Sequence, residues 1–269
     1  MDIETFKLHG LDQAWGDLHA QDYRVNGRSN AEILQVLETP GDAHYHPCPE
    51  AYVRDGVVPG QVARFSSWDQ SAVFAGTRRD VWVYKPNAAD NVDALNLIIF
   101  NDGPGYLARA GAVRATTVLD NMIDAGELAP TLAVFVSPGL PPNIELPAAG
   151  QRPDPLAMQQ RSVEYDSCSD HYLRFLIDEL LPFVSAEVGV RISDDPASRT
   201  ICGISSGGIC AFNAAWHGPE HFGRVISHCG SFTNIRGAHN YPYFIRITPR
   251  KALKVFLQSG ELDADIVTG

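Results

Sequence analysis

The chain has 269 residues and a 45% apolar share, enough for one large domain or two small ones with a full core. A net charge of −11 argues against a nucleic-acid binder, which needs a basic patch, and no apolar run approaches the ~18 residues of a membrane-spanning helix. The acidic opening MDIETFKLHG has no positive segment leading into an apolar one, and five scattered cysteines form no disulfide framework, so a cytoplasmic protein without a secretory signal is expected.

Residues 1–45 are polar and mixed and read as an N-terminal extension. Within them, SNAEILQVLE has a Ser/Asn cap candidate followed by the helical spacing of Ile33, Leu34 and Leu37. TPGDAHYHPCPE is dense in Pro, Gly and Asp and leads into a linker over residues 46–61. It brings His44, His46, Cys48 and Glu50 within seven residues, a spacing similar to the first metal motif of cupin barrels. No barrel pattern surrounds it and no second histidine motif follows, so it is expected to be an ordinary linker, with no metal and no cofactor.

From Val62 to residue 269 the pattern is that of one α/β domain. QVARFSSW and RDVWVYKP are β-rich around the turn-like FAGT and read as a hairpin. LNLIIF (95–100) is a continuous apolar run, as expected of a strand buried on both faces. RATTVLDNMIDAGEL has helical spacing, TLAVFVS (131–137) is the next buried strand, and PGLPPNIELPAAGQRPDP is a proline-rich loop. SDHYLRFLIDELLPFVSAEVG is an amphipathic helix opened by Ser169 or Asp170. SRTICGI, GRVISHCGS and KALKVFLQSG are strands, and SGGICAFNAAWHG is a helix. This alternation predicts a three-layer α/β sandwich with a mostly parallel central sheet and the hairpin as its antiparallel edge. Ligands in such sheets bind beyond the carboxyl ends of the strands, here just after Phe100, Ser137, Gly203, Cys229 and Ser259.

Gly203-Ile204-Ser205-Ser206-Gly207 matches G-x-S-x-G, the turn that exposes a nucleophilic serine between a strand and a helix. Bulky side chains two positions either side of the serine would collide with neighbouring backbone, which excludes Ser206 because Ile204 is its minus-two residue. The pattern is short enough to recur by chance; the strand before it and Gly207, Gly208 and Ala211 after it give it weight. The alternative is a glycine-rich turn that only packs or binds an anion. As a nucleophile elbow, it would aim the Ser206 N–H at the oxyanion formed when Ser205 attacks a carbonyl. A second donor should come from NDGPGY, where Pro104 has no N–H and Gly103 or Gly105 must serve.

The order expected along the chain is Ser, acid, His. Asp263 stands in the first turn past the last strand, with Glu261 and Asp265 as close competitors. All nine histidines precede Asp263. His217 and His221 lie about 18 Å or more along a helix from Ser205, at ~1.5 Å per residue. His171 opens a helix at the surface and His239 sits in a loop. His228 ends the strand after the elbow helix and is either a substitute base or a hydrogen-bonded neighbour.

Taken together, FAGTRRDVWVYKP, FNDGPGY, TVLDNMIDAGELAPTLAVFVSPG, RSVEYDSCSDHYLRFLIDELLP, CGISSGGICAFNAAW, SHCGSFTNIRG and VFLQSGELDAD resemble the α/β-hydrolase branch that includes enterochelin esterases and feruloyl-esterase-like enzymes. The resemblance runs in order over the chain from about Val62. It implies Ser205 as nucleophile, Asp263 as triad acid and NDGPGY beside the oxyanion. It also implies substrate contacts at Asp102, Tyr106, Arg161, Glu164, Asn234 and Arg236. Members of that branch carry the base in a Gly/His-rich loop beyond a further helix and edge strand, whereas this chain stops at Gly269. A missing C-terminal edge, weak or absent turnover, and self-association through the uncovered strand ALKVFLQS are therefore expected. Two functions stand: a serine hydrolase of a small-molecule carboxylic ester, needing no cofactor, or a non-catalytic relative that binds a small molecule or partner in the same cleft.

Overall fold

The structure is a computed structural model that describes residues 24–25, 28–29, 47–107, 113–145 and 154–260. Beyond Ser29, the helix expected over SNAEILQVLE lies outside the described residues, as do His44 and His46. Arg24–Val25 and Arg28–Ser29 pair as a short antiparallel ribbon. Residues 47–60, expected as a linker, are fastened to the domain. The Asn121 side chain donates to the carbonyls of Glu50 (2.6 Å) and Tyr52 (2.8 Å), and the Gly60 N–H donates to Asp120 Oδ1 (2.7 Å).

The hairpin forms as expected from strands β1 (Gln61–Trp68) and β2 (Arg79–Lys85). Then come β3 (Asn96–Asn101), the short helix α1 (Gly103–Leu107), α2 (Ala115–Asp124) and β4 (Thr131–Val136). The next helix, α3 (Pro155–Tyr165), was not expected from the sequence. Asp154 caps it by accepting from the Leu156 N–H at 2.8 Å, and Pro155 takes the first helical position, where its missing N–H costs nothing. Helix α4 runs without a break through His171–Arg174, a π-helical stretch Phe175–Leu180, and Leu181–Val188. Strand β5 (Arg199–Ile204), helix α5 (Ser206–His217), strand β6 (Arg224–His228), helix α6 (Tyr241–Ile247) and strand β7 (Lys254–Gln258) complete the described fold.

The seven strands form one sheet in the order β1-β2-β4-β3-β5-β6-β7. β1, β2 and β4 pair antiparallel, and every pairing from β4 to β7 is parallel. The period of two along the strands sorts side chains between two apolar layers. Leu97, Ile99, Val134, Val136 and Ile201 pack with Tyr165, Phe175 and Ile209 from the helices α3, α4 and α5 on one face. Phe100, Ala133, Phe135 and Cys202 pack with Tyr106 and Leu119 from α1 and α2 on the other. This is the expected three-layer sandwich. Among the described residues β7 is the outer strand beyond β6, and Val255, Phe256 and Leu257 on it are exposed. The parallel pairing brings the carboxyl ends of β3, β5, β6 and β7 to one edge, through Phe100 beside Cys202 and Ile204 beside His228 beside Gln258.

Candidate active site

Strand β5 and helix α5 meet at Ser205, whose backbone sits at φ 56°, ψ −122°. That region is costly for any residue with a Cβ, and persists only where neighbours over-determine it. Here they do. The Ser205 N–H donates to the His228 carbonyl (2.9 Å), and the Ser205 carbonyl accepts from Gly208 (2.9 Å), Ile209 (3.2 Å) and Ser231 (3.0 Å). Gly203 permits the turn, since a Cβ there would lie 2.1 Å from the Gly207 carbonyl oxygen. Ser205 is exposed at the top of the sheet, while Ser206 is buried as the first residue of α5. The first N–H groups of a helix have no intrahelical acceptor, and the helix dipole favours negative charge beside them.

The loop after β3 is tied to the same turn. Buried Asn101 donates through Nδ2 to the Gly207 carbonyl (3.0 Å) and accepts from the Tyr172 hydroxyl (2.8 Å). Asp102 is left-handed at φ 53°, and its N–H donates to the Tyr165 hydroxyl at 3.1 Å. Arg161 from α3 grips the Asp102 carboxylate through Nε (3.0 Å) and Nη2 (2.7 Å) and lies over the Tyr165 ring. Burial works against the Arg161 charge, but the bonds to Asp102 outweigh it and hold its pKa above the ordinary guanidinium value. Of the two loop donors, Gly105 turns its N–H back onto the Asp102 carbonyl (3.1 Å), which leaves Gly103 as the candidate.

Two expected substrate contacts are corrected. Glu164 has no exposed side-chain surface; its carboxylate is consumed by Arg79, by the Gly139 N–H and by Gln160. Its side chain reaches Arg79 at the start of β2. Tyr106 is buried, its ring against Phe100 and His228, because it serves the lower apolar layer rather than the cleft. Asn234 and Arg236 are exposed in the segment after β6, and Arg236 Nε donates to Ser162 Oγ on α3 at 3.1 Å. Asp263, Glu261 and Asp265 lie outside the described residues.

One residue at the site went unremarked in the sequence. Ser231 stands just beyond β6, and its hydroxyl oxygen lies 3.2 Å from that of Ser205. The available signal was positional, since Ser231 follows closely on Cys229 at the carboxyl end of a strand. Among the described residues no histidine ring hydrogen-bonds the Ser205 hydroxyl. His228 turns its ring toward Tyr106 and Phe256, and burial lowers its pKa. Cys202 is buried as expected, which pushes its thiol up to about 12 and leaves it inert. Among the described residues no cluster of His, Cys, Asp or Glu is placed to hold a metal ion, and no helix is long and apolar enough to cross a membrane.

The sequence profile of the family described as "Putative esterase" matches residues 71–267, more than half of the chain. The chain belongs to this family. The iron(III) enterobactin esterase of Dickeya dadantii (strain 3937) is 27% identical to it over 175 residues, which are 65% of this chain and 35% of that protein. Crystal structures of the enterobactin esterase FES from Shigella flexneri share the fold. The one in the presence of 2,3-dihydroxy-N-benzoyl-serine aligns with a TM-score of 0.54 at 22% identity, over 76% of this chain and 46% of FES. The one in the presence of 2,3-dihydroxy-N-benzoyl-glycine aligns at 0.57 and 20% identity, over 83% and 50%. The chain thus spans half or less of the length of these relatives. The fold is that of the α/β-hydrolase esterases.

Proposed function

We propose that this esterase-family chain acts on a small-molecule carboxylic ester by acyl transfer through Ser205. The carrying observation is the strained, positive-φ backbone of the exposed residue Ser205 at the junction of β5 and α5. In this reading the Ser205 oxygen attacks the ester carbonyl carbon and its proton passes to a base. The carbonyl oxygen becomes an oxyanion that receives the N–H groups of Ser206 and Gly103. Collapse expels the alcohol, and water then attacks the acyl-enzyme and frees Ser205. Asp263 is assigned the role of orienting the base and stabilising its charge. The base itself is assigned to a group outside the described residues. Asp102 with Arg161, and Asn234 with Arg236, are assigned to substrate contact. The free cysteines Cys48, Cys168, Cys202, Cys210 and Cys229 fit a reducing, cytoplasmic setting.

The relatives named as enterobactin esterases make that ester the first natural substrate to assay. Hydrolysis of p-nitrophenyl acetate and of enterobactin, with and without iron, should be measured for the chain and for Ser205→Ala. Release of acid that vanishes in the variant supports the reading; equal release by both sinks it. A second reading, binding without turnover, draws on one observation: the described partner of the Ser205 hydroxyl is another hydroxyl, not an imidazole. Binding of the ester unaccompanied by any hydrolysis would favour it.

A further inference from the structure

We propose that Ser231 activates Ser205 by donating its hydroxyl hydrogen to the Ser205 oxygen. This rests on the reading of Ser205 as nucleophile. Ser231 is held against Ser205 twice. Its backbone N–H donates to the Ser205 carbonyl at 3.0 Å, and the two hydroxyl oxygens lie 3.2 Å apart. The loop that carries it is fixed at its base by the Cys229 N–H, which donates to the Gln258 carbonyl at 2.6 Å. Gly230 keeps it flat on the strand, since a Cβ there would lie 2.3 Å from Ser227 Oγ.

Burial decides the direction of the bond. Ser231 is 8% exposed, and among the described residues Ser205 is the single hydrogen-bond partner of its hydroxyl. A buried O–H with nothing to donate to carries the full desolvation penalty. Ser205 is exposed and can offer its own hydrogen to solvent or to a base. The arrangement that satisfies both hydroxyls has Ser231 as donor and Ser205 as acceptor.

That direction has a chemical consequence. As Ser205 gives up its proton, negative charge gathers on its oxygen, and a hydrogen bond to an ionised acceptor is about twice as strong as one to a neutral acceptor. When the bond from that oxygen to the substrate carbon is complete, the oxygen is an ester oxygen and a weak acceptor. In deacylation it leaves with charge and the bond strengthens again. Ser231 therefore stabilises the charged oxygen on the way into and out of the acyl-enzyme more than it stabilises either resting state. Ser231 keeps its own proton throughout; the proton that moves is that of Ser205.

Thr and Val have nearly the same shape, so Ser231→Thr against Ser231→Val isolates the hydroxyl. The readouts are the rate of Ser205 acylation by a fluorophosphonate, kcat and KM for p-nitrophenyl acetate, and the melting temperature. The Val variant should acylate about tenfold more slowly than the Thr variant, with the loss in kcat and none in KM, at equal melting temperatures. Equal rates for Thr and Val overturn the proposal. Should the branched side chain prevent folding, Ser231→Ala should show the same tenfold loss against the unaltered chain, and an unchanged rate overturns the proposal. Acylation that persists in Ser205→Ala, or that never occurs in the unaltered chain, overturns the nucleophile reading and Ser231's role with it, a result distinct from equal Thr and Val rates.

Discussion

Replacing Glu164 with Gln should cost the fold dearly and leave substrate binding intact. Both oxygens of Glu164 are filled by donors. Oε2 receives Arg79 Nη1 at 2.8 Å; Oε1 receives Arg79 Nη2 at 3.1 Å and Gln160 at 2.9 Å; the Gly139 N–H reaches both at 3.2 Å. An amide NH2 in either position would point a donor at donors. It would also leave the Arg79 guanidinium, with no exposed side-chain surface, without a counter-charge, although the Phe175 ring at 4.2 Å would still attract it. Breaking a buried ion pair from one side costs about 3–5 kcal/mol. In a domain of this size that corresponds to a fall in melting temperature on the order of 10 °C. Circular dichroism melts of Glu164→Gln against the unaltered chain measure it. The double variant Arg79→Met, Glu164→Met should recover much of the loss, because no charge is then left buried alone. A native melting temperature in Glu164→Gln, or one combined with a raised KM, would refute the reasoning and return Glu164 to the substrate.

Two further outcomes follow from the same geometry. Gly203→Ala places a Cβ 2.1 Å from the Gly207 oxygen and 2.3 Å from its carbonyl carbon, both backbone, so the start of α5 must move. Overpacking of this kind costs about 1–3 kcal/mol. Ser205 labelling by a fluorophosphonate should also fall by more than about tenfold as the Ser206 N–H shifts; labelling at the native rate would show that the turn does not set the nucleophile. Burial holds the imidazoles of His217 and His228 below their ordinary value of 6.5. The folded state thus favours the neutral rings, and the unfolded chain takes up protons first on acidification. Their stabilising contribution is full above about 6.5 and is lost as pH falls through and below it. Melting temperatures from pH 8 to 5.5 should fall less steeply for the double variant His217→Gln, His228→Gln, and parallel slopes would count against it.

The strands were legible because each central one is a short unbroken apolar run, and such runs fit a sheet buried on both faces. The tight turn from β5 into α5 was legible because steric demand writes its glycines into the sequence at fixed offsets. Helix α3 was obscured by the proline-rich stretch before it, although Asp154-Pro155 carried a start signal. Glu164 was misjudged for a different reason. A carboxylate near a cleft and one sealed in a core look alike until the partner is known, and Arg79 lies 85 residues away. Ser231 met the same limit, since it reaches Ser205 only through the pairing of β5 with β6. Local patterns reveal local geometry; contacts across the sheet depend on the order of its strands.

The most direct test of the central claim is peptide mapping by mass spectrometry after treatment with a fluorophosphonate. The account predicts one adduct, on Ser205 within CGISSGGICAF, absent from Ser205→Ala and retained in a Cys202→Ala variant. An adduct on any other residue, or none after prolonged exposure of the folded chain, would contradict it.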